Sequence, residues 1–245
     1  MIKVRDLYKS FDGNKVLKGV NFSIETGEAV AIIGKSGSGK SVLLKHINGL
    51  LKPDSGEIWV DNKLVNTLSF RKLQNIRAKM GMVFQAGALF DSLTVGENIG
   101  LALRRLTKLR ENEVLERVQS SLIDVDLQGT ENLMPAELSG GMKKRVGIAR
   151  AIAIKPDFLL YDEPTTGLDP VMTDIINRLI VKFQKINSIT SIIVTHEMRT
   201  VFDVSNRIIM LHNGKVQFDG TSEEIKNCND LAVRQFITGD SSLVC

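Results

Sequence analysis

The sequence predicts an α/β fold with a mainly parallel core sheet, an antiparallel β-subdomain and an inserted α-helical subdomain. Residues 29–33 and 158–161 are continuous apolar runs of strand length, as expected of strands that are covered on both faces of a parallel sheet. Residues 2–5 instead alternate between apolar and charged side chains, which is typical of a strand with one solvated face. The 43% apolar content of the 245 residues is sufficient for a packed core.

Strand patterns dominate the first 85 residues. Residues 56–60 predict a strand, and the Asp61-Asn62 pair that follows is typical of a tight hairpin turn. The apolar run at 29–33 leads into a glycine-rich turn, after which a helix is predicted to begin at about Lys40. The early strands therefore predict a small antiparallel layer beside the parallel core sheet.

The stretch from about Gln85 to Lys155 has a helical pattern instead. Four apolar residues recur at the spacing of one helix face among charged neighbours, namely Val114, Leu115, Val118 and Leu122. We therefore expect an inserted helical region between two strands of the core sheet.

Strand patterns return after this insert. Residues 158–161 and 191–195 are mainly apolar, and apolar residues at helical spacing between them predict a crossover helix. Such a strand–helix–strand unit is typical of parallel sheets. Residues 208–218 predict a further hairpin, with Asn213-Gly214 as its type I′ turn.

Composition and charge disfavour several classes of protein. No apolar run approaches the roughly 18 residues of a membrane-spanning helix, and Lys3, Arg5 and Asp6 interrupt the position of a secretion signal. We therefore expect a cytoplasmic chain in which Cys228 and Cys245 are free thiols. The net charge of +4 permits a polyanionic partner, but scattered basic pairs and few aromatic residues indicate no nucleic-acid groove.

A glycine-rich segment between the strand at 29–33 and the next helix has the pattern G-x-x-x-x-G-K-[ST]. Its glycines allow successive backbone N–H groups to face one anion, and the start of the helix adds a positive dipole end. Lys40 can then reach the β- and γ-phosphates of a nucleotide, and the Ser41 hydroxyl can ligate Mg²⁺. A chance glycine-rich loop is the alternative, which the flanking strand and helix disfavour. The candidate nucleotide-binding residues of this segment are Gly34, Lys35, Ser36, Gly37, Ser38, Gly39, Lys40, Ser41 and Val42.

Two adjacent carboxylates end the apolar strand at 158–161. Asp162 stands where it can hold Mg²⁺ through water, and Glu163, one residue later, can polarise an attacking water. Adjacent acidic residues more often just begin a loop. Here they end a buried strand, precede Pro164 and accompany a phosphate loop, which favours the catalytic interpretation.

Residues 138–142 place two glycines, Gly140 and Gly141, at the predicted start of a helix. Each glycine weakens a helix by about 1 kcal/mol relative to alanine, so the pattern indicates that another group approaches this backbone closely. Ser139 is a suitable N-cap for the helix. Considered alone, the segment would be better explained as a capped surface helix.

Taken together, these motifs resemble the ATP-binding cassette (ABC) family over essentially the whole chain. The resemblance implies a P-loop NTPase fold that binds ATP and Mg²⁺. It identifies the glycine-rich loop as Walker A, Asp162 and Glu163 as Walker B and the catalytic glutamate, and residues 138–142 as the signature. The signature usually ends in glutamine where this chain has Met142.

The resemblance also implies roles for residues outside these motifs. Gln85 is expected to sense the γ-phosphate and to help ligate Mg²⁺, Asp169 to lie in the D-loop at the nucleotide, and His196 to touch the γ-phosphate. Phe11 fits the aromatic residue that stacks on adenine, although a core phenylalanine and a stacking Tyr8 remain alternatives. The candidate catalytic residues are Lys40, Gln85, Glu163 and His196. The candidate Mg²⁺ ligands are Ser41, Gln85 and Asp162, and the signature residues that would bind nucleotide are Ser139, Gly140 and Gly141.

In this family the nucleotide lies between the Walker residues of one chain and the signature of another, so a chain with one copy of each motif is expected to form a homodimer. The dimer would bind two membrane permease subunits at the cytoplasmic face of the inner membrane. We divide the chain into an ABC ATPase domain at 1–222 and a tail at 223–245, which either braces the dimer or frays. Within the domain, 1–85 and 156–222 form the RecA-like core with the β-subdomain, and 86–155 form the helical subdomain with the signature.

Two segments indicate a branch of the family. Residues 85–95 and 134–145 are similar to those of the Mla-type phospholipid and organic-solvent-tolerance transporter ATPases, and Met142 agrees with this branch. Residues 230–237 also look similar to the tail of those ATPases. The resemblance implies that ATP hydrolysis drives phospholipid transport between bacterial membranes, with an MCE-domain lipid-binding protein and a STAS-domain regulator as further partners and no nucleic acid.

Three alternatives stay open at the level of sequence. The chain could power a transporter for another solute, such as an amino acid or a metal complex. It could be a soluble ABC ATPase of DNA repair or translation, which the single cassette and the lack of long coiled coils disfavour. It could be a non-hydrolysing regulatory module, which the presence of both Lys40 and Glu163 disfavours.

Overall fold

The computed structural model of the chain describes residues 1–186 and 188–239. Its strands are β1 (Ile2–Phe11), β2 (Asn14–Ile24), β3 (Ala29–Ile33), β4 (Ser55–Val60), β5 (Lys63–Leu64), β6 (Met80–Val83), β7 (Phe158–Asp162), β8 (Thr190–Val194), β9 (Arg207–His212) and β10 (Lys215–Thr221). Its α-helices are α1 (Lys40–Ile47), α2 (Phe70–Arg77), α3 (Val95–Leu106), α4 (Glu111–Asp124), α5 (Gly140–Ala153), α6 (Pro170–Lys185), α7 (Met198–Val204), α8 (Ser222–Lys226) and α9 (Leu231–Thr238).

An antiparallel sheet in the order β2-β1-β4-β5 confirms the predicted β-subdomain. The β4–β5 hairpin turns through Asp61 and Asn62, whose φ angles of 47° and 59° are those that a type I′ turn requires. Strand β1 is longer than the predicted 2–5 because it pairs along its length with β2, which the sequence pattern did not reveal. A glycine at position 19 and register shifts against β1 break the alternation of β2.

The core sheet has the strand order β10-β9-β3-β8-β7-β6. Its strands run parallel except β10, which forms the predicted hairpin with β9. Every residue of β3 and β8 is buried, as the continuous apolar patterns predict. Because the carboxyl ends of parallel strands meet at one edge, the segments that follow β3, β6, β7 and β8 all emerge together, and these segments carry the candidate site.

Helices α3, α4 and α5 form the inserted helical region. Thr94 caps α3 through a capping box with Glu97, in which each side chain accepts a hydrogen bond from the other residue's backbone N–H. On α4, Val114, Val118 and Leu122 are buried in the core cluster that this region shares with α5, α6 and β7. Leu115, which we placed on the same face, is 53% exposed. The expectation for Leu115 was wrong because it lies about 100° around the helix from Val114.

The tail packs against the rest of the chain through α8 and α9. Ile225 of α8 and Val233 of α9 are fully buried against a cluster that includes Ala31 of β3 and Ile208 of β9. Fraying is therefore wrong for this part of the tail. Residues 240–245, with the predicted free thiol of Cys245, lie outside the described residues, whereas Cys228 has a free thiol. Among the residues described, none of the helices combines the length and the apolar composition that a membrane crossing needs.

A buried histidine on α1 should make stability depend on pH. His46 is fully buried, and its Nδ1 donates to the Val42 carbonyl at 2.7 Å, a contact that by itself raises the pKa of the ring. Burial lowers the pKa of His46 below its ordinary value. Unfolding then takes up a proton once the pH is below about 6.5, the pKa of an exposed histidine. The free energy of unfolding therefore decreases as the pH is lowered through that range.

Thermal unfolding of the wild-type chain and of His46→Gln between pH 7.5 and 5 checks this expectation. Above pH 7 the unfolding midpoints of the two proteins should change with pH in the same way, because histidine is neutral in both the folded and the unfolded chain. Below pH 6.5 the wild-type midpoint should fall more steeply. Equal slopes throughout would show that His46 stays outside the titration.

Candidate functional site

The turn between β3 and α1 has the backbone of a phosphate-binding loop. Gly34 has a φ of 151°, and a Cβ atom there would collide with the Leu211 carbonyl oxygen and the Ser38 hydroxyl, so only glycine fits. Gly39 has a φ of 100° and precedes α1 without any side-chain cap. The Ser38 hydroxyl is buried without a hydrogen-bond partner in the described part of the chain. The first N–H groups of α1 are donors that an anion can use.

Lys40, the first residue of α1, turns back over this loop. The residue is 6% exposed, and its Nζ donates to the carbonyl oxygens of Gly34 at 2.8 Å and Lys35 at 3.2 Å. Burial lowers the pKa of Lys40, while the nearby charges of Glu163 and Asp162 act in the opposite direction. The loop therefore holds a partly desolvated amine at the place where phosphate charge would gather.

The two predicted carboxylates lie next to this loop. The Ser41 hydroxyl donates to Asp162 Oδ1 at 2.7 Å, which puts two oxygen ligands for a hard cation side by side. Glu163 has a φ of 52°, and its Oε1 is 3.8 Å from Lys40 Nζ. Its side chain is 12% exposed. The adjacent acids thus point to different partners, as expected of a metal ligand and a base.

Glu163 is held by two further groups. The Thr166 hydroxyl donates to its Oε2 at 3.1 Å, and Nδ1 of His196 lies 2.9 Å from the same oxygen. The histidine ring is 52% exposed, so it faces the solvent side of the carboxylate. His196 follows β8, as its sequence position predicted.

An open cleft of about 640 Å³ contains most of the predicted residues. It brings together the phosphate loop, Gln85 from the segment after β6, and the Glu163–His196 pair. Two of its lining residues were missed by sequence reasoning, Val16 of β2 and Phe236 of α9. The residues that line it are Val16, Lys35, Ser36, Gly37, Gly39, Lys40, Ser41, Val42, Gln85, Glu163, His196 and Phe236.

Phe11, the predicted adenine-stacking residue, is not among the described residues that line this cleft. It ends β1, is 40% exposed, and has the amine of Lys9 5.3 Å above its ring. The rival Tyr8 is 45% exposed and has its hydroxyl against Gly19 of the neighbouring strand. The exposure of Phe11 is unlike that of a core phenylalanine, and its stacking role stays a prediction.

The signature residues lie away from the cleft of their own chain. The Ser139 hydroxyl accepts from the Met142 N–H at 3.2 Å and so caps α5, as predicted. Gly140 is exposed and has open space where a side chain would be, whereas a Cβ atom at Gly141 would collide with Met172. Asp169 accepts from two backbone N–H groups and caps α6. Their contact with nucleotide therefore stays a prediction, and Ser139 and Gly140 are free to meet another molecule.

Comparison with known proteins establishes the family. Residues 17–166, more than half of the chain, match the family described as ABC transporter. The chain belongs to the ABC transporter family. The resemblance inferred from the motifs is confirmed, and so is the enzyme class: this is an ABC ATPase, which binds ATP.

Two curated relatives match this ABC ATPase over nearly its whole length. Protein TRIGALACTOSYLDIACYLGLYCEROL 3, chloroplastic, of Arabidopsis thaliana is 42% identical, and the match covers 98% of the ABC ATPase and 74% of the relative. The intermembrane phospholipid transport system ATP-binding protein MlaF of Haemophilus influenzae is 39% identical, with 98% of the ABC ATPase and 91% of the relative covered.

A solved structure shares the fold of the ABC ATPase. It is a dimeric post-hydrolysis state of the ATP-binding cassette MJ0796 bound to ADP and Pi, with a TM-score of 0.84 and 36% identity. The likeness covers 90% of this ABC ATPase and 98% of the solved chain. The predicted fold class, a P-loop NTPase of the ABC type, is therefore confirmed.

Proposed function

We propose that the ABC ATPase hydrolyses Mg·ATP in a homodimer and thereby drives phospholipid transport between membranes. The single observation that carries the transport assignment is the similarity to the phospholipid-transport ATPase MlaF, which spans 98% of this chain and 91% of MlaF. A match of this extent leaves little of either chain unaccounted for.

Mg²⁺ fits the oxygen ligands of this site. Ser41 Oγ and Asp162 Oδ1 are 2.7 Å apart, and the described residues contain no group of three or more His, Cys, Asp or Glu that could hold a metal ion by themselves. The remaining ligands would be phosphate oxygens, water and Gln85, a set that Mg²⁺ prefers. Bound there, Mg²⁺ would neutralise charge on the β- and γ-phosphates.

The residues of the cleft support a division of labour in hydrolysis. The loop N–H groups and the Lys40 amine bind the phosphates. Glu163, oriented by Thr166 and His196, accepts a proton from the attacking water. His196, exposed beside that carboxylate, is placed to contact the γ-phosphate.

A homodimer is supported by the position of the signature residues relative to the cleft. Ser139 and Gly140 are exposed residues at the start of a capped helix, yet they do not line the cleft of their own chain. Such a helix start binds anions. The related cassette MJ0796 is dimeric with ADP and Pi bound. We infer that the signature of one chain covers the triphosphate held by the other.

Membrane partners follow from the transport assignment. We propose two permease subunits that hold the dimer at the cytoplasmic face of the membrane, together with an MCE-domain lipid-binding protein and a STAS-domain regulator. Purification of the ABC ATPase from its native membranes, followed by identification of the bound proteins, checks this set directly.

Lipid transfer in proteoliposomes tests the transport assignment. The complex of the ABC ATPase with its co-purifying permease would be reconstituted, and movement of a fluorescent phospholipid to acceptor vesicles measured with ATP, without ATP, and with Glu163→Gln. We expect ATP-dependent transfer that the variant abolishes. Lipid transfer that is equal with and without ATP, while ATP is hydrolysed, would instead favour another solute.

A further inference from the structure

A buried lysine on α5 joins the signature helix to the segment that carries the catalytic glutamate. Lys144 lies three residues after Gly141 and is 7% exposed. Its Nζ donates to the carbonyl oxygen of Pro164 at 2.9 Å and to that of Thr166 at 2.6 Å. Both acceptors belong to the turn between β7 and α6, so one amine holds this turn on both sides of Thr165.

Burial of the Lys144 amine destabilises the folded state, so space filling alone does not explain a lysine at this position. Burial lowers the pKa of Lys144, and only the more distant charges of Glu197 and Glu163 oppose this. No carboxylate in the described part of the chain lies within ion-pair distance of its amine. A methionine of similar length would fill the space without a buried charge. What it could not do is donate to the two carbonyl groups.

The turn held by Lys144 also contacts the Glu163 carboxylate. Thr166 accepts from Lys144 through its backbone carbonyl and donates from its hydroxyl to Glu163 Oε2 at 3.1 Å. Glu163 itself has a φ of 52°, and its backbone N–H donates to the Val194 carbonyl at 2.8 Å. A non-glycine residue keeps such a backbone only where its surroundings impose it. Lys144, Thr166 and Glu163 therefore form one chain of contacts.

Helix α5 also holds the segment that follows Gln85. The Arg150 guanidinium donates to the Gly87 and Ala88 carbonyl oxygens at 2.7 and 2.6 Å, directly after Gln85. Gly87 also packs against α5, where a Cβ atom at Gly87 would lie 2.9 Å from the Lys143 carbonyl oxygen. Helix α5 is thus the common support of the two segments that bring Gln85 and Glu163 to the cleft.

We propose that Lys144 is a positioning residue for ATP hydrolysis, which fixes the Glu163 carboxylate through Thr166 and ties it to the helix that begins at the signature. The inference rests on the proposed role of Glu163 as the base. In the proposed dimer it has a further consequence, because the helix that covers the partner's nucleotide also sets the base of its own chain.

Steady-state ATP hydrolysis by the full chain tests this role with Lys144→Met and Thr166→Val. A displaced base slows ATP hydrolysis without weakening ATP binding. We therefore expect each variant to lower kcat by roughly 10- to 100-fold. The KM for ATP and the Kd of a non-hydrolysable analogue should change less than about 2-fold, because the phosphate loop is untouched. Lys182→Met is the matched control: this exposed lysine also donates to a backbone carbonyl, that of Asp124, and should keep wild-type kcat.

The double variant decides whether the two residues act in one path. If Lys144 acts through Thr166, the double variant should be no slower than the slower single variant. Multiplied losses, an unchanged kcat in either single variant, or a loss of ATP affinity equal to the loss of kcat would overturn the proposal. If Lys144→Met fails to fold, Lys144→Gln takes its place: its amide is shorter and uncharged and cannot hold both carbonyl groups as the lysine does, so kcat should still fall, and an unchanged kcat would overturn the proposal.

Glu163→Gln separates this inference from the function on which it rests. Normal turnover by a Glu163→Gln chain would contradict both the role of Glu163 as the base and the positioning role of Lys144. Loss of turnover in Glu163→Gln but not in Lys144→Met would contradict the positioning role of Lys144 and leave the role of Glu163 standing.

Discussion

Glu163→Gln should lower ATP turnover by roughly 10²- to 10⁴-fold, the usual contribution of a general base. The amide keeps the size of the side chain and can still meet the Thr166 hydroxyl and His196, but it cannot accept a proton from water. The phosphate loop is unchanged, so ATP binding should persist. Because hydrolysis opens the proposed dimer, the variant should accumulate as a closed ATP-bound dimer.

Phosphate release and size-exclusion chromatography with ATP measure these two effects. Glu116→Gln, on the exposed side of α4, removes the same charge at a distance and should behave as the wild-type chain. A Glu163→Gln chain that releases phosphate at the wild-type rate would contradict the assignment of the base. A chain that neither hydrolyses nor dimerises with ATP would contradict the assembly.

Lys40→Ala should act at the earlier step, nucleotide binding. The variant loses the one buried amine of the phosphate loop, and hydrogen bonds to charged groups contribute about 1.5–3 kcal/mol each. The Kd for ATP should therefore rise roughly 10- to 100-fold, with hydrolysis lost as a consequence. Lys45→Ala is the control, since Lys45 is an exposed lysine of the same helix.

Binding of a fluorescent ATP analogue to both variants checks this expectation. The stronger effect on affinity should belong to Lys40→Ala and the stronger effect on kcat at saturating ATP to Glu163→Gln. The reverse pattern would mean that the two residues have been given each other's roles.

Local sequence patterns predict the parts of the fold that depend on neighbours in the chain. The loop from Gly34 to Ser41 requires glycines for its backbone and a helix start for its charge, and both are visible in the sequence. Asp162 and Glu163 were found because they end a continuous apolar strand. The Asn213-Gly214 hairpin follows from the φ angles that only such residues adopt readily; they are 50° and 79° here.

Features that depend on distant partners were not predicted. Strand β2 was missed because its pairing with β1, and not its own alternation, makes it a strand. Phe236 reaches the cleft only because α9 packs against the core, where Gln235 also accepts from Lys35 at 3.3 Å. Lys144 is one of three consecutive basic residues in the sequence, and nothing local marks it as the buried one. The division into domains and the individual site roles stay predictions.

The structure of the Glu163→Gln chain crystallised with ATP and Mg²⁺ tests the central claim most directly. We expect two chains related by a twofold axis, with each triphosphate wrapped by residues 34–41 of one chain and capped by Ser139 and Gly140 of the other. Mg²⁺ should lie at Ser41 and beside Asp162. Nucleotide bound away from the β3–α1 turn, or a phosphate loop that never faces the signature of a second chain, would contradict the account.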